Sequence, residues 1–271
     1  MRSWNRFYTS GAAPGDESVE AAFTTYNSAK LPATLTVPEA RLDRPGTREK
    51  PRAVSVRELR ALGSEFFAGL ATEDLQALGS AMFQRSYPAG QIVLLEGAAS
   101  SVLYVVQAGR LKLFKTSSRG REQVLRLLRP GDMFNEVAVF DEGPNPASAQ
   151  AIEDCTLYLL RRRDLMRFVA ERPGIALAIT RTFARGPREA LSLVEDLAFR
   201  DVTSRLAKIL LQGQNGGGPR LTQELLAAMA GSRREVVGRA LKALSQEGAV
   251  KLERGRIHVL DRESLERLAW M

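Results

Sequence analysis

Near the C-terminal end of the chain, apolar residues recur at helical spacing. Leu225, Leu226 and Met229 form one apolar face, and Val236, Val237, Ala240, Leu241 and Leu244 form a second. The period predicts two short helices around a tight turn over residues 222–239, with the second helix running on past them. Thr222 stands where the first helix needs an N-cap, its hydroxyl able to accept from a free N–H of the first turn. Gly231 stands where the turn needs a residue tolerant of positive φ. Ser232 is expected to cap the second helix. In AVKLERGRIHVL, apolar and polar residues then alternate on both sides of Arg254-Gly255, which predicts a β-hairpin.

Upstream the pattern changes twice. VRELRALGSEFFAGLATEDLQALGSAM, from Val54, predicts two short helices. Gly90, Gly97, Gly109, Gly120 and Gly131 then fall seven to twelve residues apart and bracket the apolar runs QIVLLE, SVLYVVQ, RLKLFKT and EQVLRLL. Short strands at that spacing predict an antiparallel barrel or jelly roll. SAQAIEDCTLYLLRR supplies closing strands, and RRDLMRFVAERP returns to helix. Between Gly174 and Phe199, Ala190, Leu193 or Val194, and Leu197 are spaced as a coiled-coil seam requires. Gly186-Pro187 must start or interrupt that helix, because proline in its interior removes a hydrogen bond. Asp201 is expected to cap the following helix and, with Phe199, to mark a hinge.

The predicted fold class is α+β: a β-roll sensor domain over residues 61–172, a dimerisation helix over 173–200, and a winged helix-turn-helix over 201–271. Residues 1–60 are rich in Ser, Thr, Ala, Pro and Gly without a sustained period. They are expected to be disordered, or an over-extended translation start with the chain beginning near Val54.

Charge gives the C-terminal pattern a meaning. The formal net charge is +8, and the stretch from Thr203 to Met271 holds twelve Lys and Arg against seven Asp and Glu, a balance of +5. Such an excess favours a polyanionic partner. Arg233, Arg234, Glu235 and Arg239 lie on the polar face of the second helix. A helix-turn-helix places that face in the DNA major groove, where Arg bonds guanine and Glu accepts from cytosine. The hairpin is then a wing. Lys251, Arg254 and Arg256, together with Thr222, Ser232 and Arg233, are the candidate phosphate contacts, which position the protein without reading sequence.

Other chemistries are poorly served. The single cysteine, Cys155, excludes an internal disulfide and a CxxC metal or iron–sulfur site. The single histidine, His258, lies in the wing and leaves the sensor without an imidazole ligand. There is no Ser/His/Asp set and no phosphate-binding loop, so an enzyme is not expected. No apolar run reaches the ~18 residues of a membrane span, and the expected location is the cytoplasm.

The order of a glycine-punctuated roll, a dimer helix, LAFRDVTSRLAKILL, TQELLAAMAGSRREVVGRALKAL and a wing resembles the cyclic-AMP receptor protein/FNR (CRP/FNR) family of bacterial transcription regulators. The likeness covers about residues 62–271 and includes GDMFNEVAVFDEG in the sensor. It implies a homodimer that binds double-stranded DNA at a two-fold site of about 20 base pairs and recruits or blocks RNA polymerase. It also implies base reading by Arg234, Glu235 and Arg239 at a TGTGA-like half-site, and no membrane. The family's cyclic-nucleotide cassette falls at Asn135, Glu136, Pro146, Ala147 and Ser148, with the adenine-facing positions at Ala190 and Leu191. Glu136 matches. Asn135 replaces Gly, and Pro146-Ala147 replaces the Arg-Ser that neutralises phosphate. A buried phosphate without its cation is costly, so cAMP is not the expected effector and no cofactor is assigned. A module that acts through protein partners is the alternative to a DNA-binding regulator.

Overall fold

The structure is a computed structural model and describes residues 53–213, 221–253 and 256–270 of the 271. Three short helices lead: α1 (Val56–Ala61), α2 (Glu65–Ala68) and α3 (Thr72–Ala81). One more helix is present than the periodicity implied, because Gly63 takes φ +63° and ends α1 before Phe66 and Phe67 turn inward. Ser55 and Glu58 form a reciprocal capping box at the start of α1.

Eight strands follow: β1 (Phe83–Tyr87), β2 (Ile92–Leu94), β3 (Val102–Ala108), β4 (Leu111–Thr116), β5 (Glu122–Leu128), β6 (Met133–Phe134), β7 (Ser148–Ala151) and β8 (Cys155–Arg161). They form two antiparallel four-stranded sheets, in the orders β1-β8-β3-β6 and β2-β7-β4-β5. The glycine spacing therefore marked the turns of a real roll. At Gly109 the requirement is steric as well as conformational, since a Cβ there would lie 2.3 Å from the Asp154 carbonyl oxygen. β1 and β6 escaped the sequence reading. FQRSY carries too few apolar residues, and MF is too short to show a period.

Helix α4 (Glu136–Asp141) connects β6 to β7. Asn135 enters it with φ +70°, a conformation that Gly adopts freely and Asn tolerates better than most residues. Its side-chain amide donates to the Val102 carbonyl at 3.1 Å and fixes the turn to β3. Helices α5 (Arg162–Glu171) and α6 (Pro173–Phe183) pack with α1–α3 on one core that includes Leu59, Phe67, Leu75, Val105, Tyr158, Leu165 and Ile175.

Helix α7 (Gly186–Phe199) begins where Gly186-Pro187 requires a break, with proline in the first turn. α6 and α7 are thus separate helices within 173–200, divided at Ala184-Arg185, directly before the Gly186-Pro187 pair expected to start or interrupt the helix. Arg185 at the break is ion-paired with Glu65 of α2. None of the fourteen residues of α7 is buried.

The C-terminal part comprises α8 (Val202–Gly213), α9 (Gln223–Ala230), α10 (Arg234–Gln246), the antiparallel pair β9 (Val250–Glu253) and β10 (Arg256–Val259), and α11 (Arg262–Ala269). Its core is Leu206, Leu210, Leu226, Val237, Leu241, Leu244, Val250 and Leu265. Helix α11 was not anticipated; Leu265 and Ala269 give it a narrow apolar stripe that α8 covers. No helix among the described residues is long and apolar enough to cross a membrane.

Candidate nucleic-acid interface and sensor site

The interface grows from the turn between α9 and α10. The Thr222 hydroxyl accepts the Leu225 N–H at 3.1 Å and caps α9. Gly231 ends that helix at φ +61°, and the Ser232 N–H closes back on the Ala227 carbonyl at 2.9 Å. This is the six-residue closure of a Schellman motif. It corrects the expected cap. The Ser232 backbone is used in ending α9, so the extended residue that opens α10 is Arg233, whose side chain makes no cap bond.

Arg233, Arg234, Glu235 and Arg239 are all exposed, while Val237, Ala240 and Leu241 of the same helix are buried. The core thus orients the helix and leaves the arginine face outward. The Arg234 guanidinium bonds the Glu224 carboxylate of α9 at 3.1 Å, an exposed pair of the kind that exchanges readily for a better acceptor. In the wing, Lys251 stands opposite His258 and pairs with Glu253 at 2.6 Å; Arg256 stands opposite Glu253 and is exposed. Arg254 lies outside the described residues. The structure therefore brings Ser232, Arg233, Arg234 and Glu235 to one turn, with Arg239 one helical turn further along α10, while Thr222 stands at the opposite, N-terminal end of α9.

At the junction, the Asp201 carboxylate accepts the Ser204 N–H at 2.7 Å and caps α8. That hydrogen bond, ahead of the opposing effect of burial, holds its carboxyl below the usual carboxylate range. Phe199 is exposed. Asp196 bonds Lys208 at 2.7 Å and also pairs with Arg200, whose guanidinium lies 5.1 Å from the Trp270 ring centre. These contacts join α7 to α8 and α11, and sequence patterning did not single them out.

The sensor cassette is more dispersed. Ala147 and Ser148 are buried, and the Ser148 hydroxyl accepts the Glu96 N–H at 3.0 Å. Pro146 is exposed and brings no charge. Buried Asn145, which the sequence reading passed over, donates from its amide to the Leu95 carbonyl at 3.0 Å. The Glu136 carboxyl is pushed above its ordinary range by burial; Arg126 opposes the shift and Glu189 adds to it. Arg126 of β5 bonds Glu189 of α7 at 3.0 Å. Ala190 and Leu191 are exposed, so within this chain Glu189 is the α7 residue that meets the sensor here. A cavity of about 600 Å³ opens between β5, α7 and α8, with Arg126, Glu189, Ser192, Lys208 and Met229 among its walls. Among the described residues no group of three His, Cys, Asp or Glu is placed to hold a metal ion. The Cys155 thiol is buried, raised by that burial, and bonded to the Arg110 carbonyl.

Two family descriptions match: "Cyclic nucleotide-binding domain" over residues 84–172 and "Crp-like helix-turn-helix domain" over residues 204–268. The chain is 37% identical over 211 residues to the cyclic AMP receptor protein of Thermus thermophilus, covering 77% of this chain and 98% of that relative. It is 34% identical over 213 residues to the CRP-like cAMP-activated global transcriptional regulator of Mycobacterium tuberculosis, covering 75% and 95%. A solved CRP/FNR-family transcriptional regulator from Thermus thermophilus superposes with a TM-score of 0.60 at 28% identity, over 69% of this chain and 98% of the other. With its β-roll, broken helix and winged helix-turn-helix in that order, the chain belongs to the CRP/FNR family of DNA-binding transcriptional regulators and is not an enzyme.

Proposed function

We propose that the protein binds a two-fold symmetric duplex site as a homodimer, with Arg234, Glu235 and Arg239 reading bases and Thr222, Ser232, Arg233, Lys251, Arg254 and Arg256 meeting phosphates. The observation that carries this is the exposed arginine face of α10, held outward by a helix whose opposite face is buried. Direct readout needs such a face at the N-terminal end of the recognition helix. Homodimerisation is supported by α7, where Leu191 is 69% and Val194 60% exposed on a helix with no buried residue. An apolar stripe of that kind asks for a second copy. Bound near a promoter, the dimer recruits or blocks RNA polymerase.

We further propose a cyclic nucleotide as effector, with cAMP the first to test. The expectation against cAMP rested on Pro146-Ala147. Two relatives at 37% and 34% identity carry cAMP in their names, which favours the nucleotide, and a different cation stands near Glu136. Fluorescence anisotropy with duplex DNA over a series of salt concentrations, with and without cAMP, tests the function. Expected are a linear fall of log affinity with log salt and tighter binding with cAMP. Salt-independent or absent binding would leave the protein-partner module as the better description.

A further inference from the structure

Accepting that this protein is a ligand-controlled DNA-binding regulator, we propose that the cavity between β5, α7 and α8 takes an anionic nucleotide, that Arg126 is its pairing cation, and that Glu189 holds the Arg126 guanidinium until the ligand replaces it.

Size and charge both fit. The cavity of about 600 Å³ lies in the range that encloses small ligands. Its walls carry five Lys and Arg against three Asp and Glu, a surplus of two positive charges. One of the acids, Asp196, is already engaged by Lys208 and Arg200. Arg126 is engaged by Glu189 in a single contact of 3.0 Å, with both side chains partly exposed. Such a pair is weak, and a phosphate, or the paired acceptors of a guanine edge, bonds a guanidinium more completely.

Release of Glu189 alters what holds α7 to β5. Lys208 of α8 and Met229 of α9 border the same cavity, so the ligand acts where sensor, α7 and DNA-binding elements meet. A ligand with different affinity for the two arrangements of Glu189 shifts the balance between them.

The test is equilibrium binding of cAMP, cGMP and inorganic phosphate to the full chain at fixed ionic strength, comparing wild type, Arg126→Gln, Arg126→Lys and Glu189→Gln. Expected are binding of at least one cyclic nucleotide, a loss of about tenfold or more in Arg126→Gln, partial recovery in Arg126→Lys, and a gain of several-fold in Glu189→Gln. The opposite signs separate ligand pairing from general damage, which lowers binding in both. Affinity unchanged in Arg126→Gln, or lowered in Glu189→Gln, overturns the proposal. So does wild type that binds neither nucleotide, or inorganic phosphate that binds as well as either. Anisotropy with duplex DNA on the same preparations keeps the two levels apart: DNA binding without nucleotide binding overturns this site alone, whereas loss of DNA binding overturns the function it rests on.

Discussion

The Gln123 side-chain amide in β5 donates to the Met229 carbonyl of α9 at 3.3 Å, across 106 residues of sequence. The sensor therefore touches the helix-turn-helix directly, next to its turn. A Cβ on Gly231 would lie 2.6 Å from the Gln123 side-chain oxygen and 2.8 Å from Leu197 Cδ2. One glycine thus meets two demands, a left-handed backbone at φ +61° and a close approach by β5 and α7.

Gly231→Ala is expected to lower unfolding stability by about 1–2 kcal/mol from the backbone conformation alone, with a further loss from the displaced Gln123 and Leu197. Urea unfolding followed by circular dichroism measures it. A stability equal to wild type would mean that the turn relaxes away from this geometry.

Arg234→Ala and Arg239→Ala are each expected to cost about 1–3 kcal/mol on a preferred duplex and to relax selectivity at one base pair. Lys251→Ala is expected to weaken all duplexes alike and to reduce the salt slope by about one. Anisotropy on matched and single-substituted duplexes separates the two behaviours.

Val194→Glu places a charge in the exposed stripe of α7. It is expected to convert dimer to monomer at micromolar concentration while leaving the fold intact, because Val194 contributes nothing to either core. Sedimentation velocity reads the change.

Asp201 and Glu136 are expected to respond to pH in opposite senses. The Asp201 carboxyl titrates lower in the folded chain than in the unfolded one, so its contribution is present above the unfolded value of 3.8 and is lost as pH falls through the folded value. Asp201→Ala is expected to cost about 0.5–2 kcal/mol near neutral pH, with the difference shrinking in acid. The Glu136 carboxyl titrates higher when folded, so its burial favours the fold below the unfolded value of 4.5, and that contribution is lost as pH rises through the folded value. Glu136→Gln is expected to raise thermal stability at neutral pH and to have little effect below about pH 4.

Local features were legible in the sequence because their causes are local. Thr222, Gly231 and the period through Leu244 specify the helix-turn-helix within one segment, and Gly186-Pro187 marks the start of α7. The cap at Arg233 instead of Ser232 was not legible, since it depends on how many residues the closure of α9 consumes. Neither was the cavity. Arg126, Glu189 and Lys208 come from three segments, and each alone reads as a solvated charge on a strand or helix. The expectation against cAMP rested on one local segment, Pro146-Ala147, whereas the Arg126 charge that acts on Glu136 comes from β5, a separate segment.

Selection of bound duplexes from a random pool by the purified chain, at fixed salt, tests most directly that α10 reads DNA as one half of a symmetric pair. The expected result is an enriched palindrome with two equal half-sites about 10 base pairs apart, centre to centre, and loss of preference at one position per half-site in Arg239→Ala. An enriched site without two-fold symmetry, or a preference unchanged in Arg239→Ala, would contradict it.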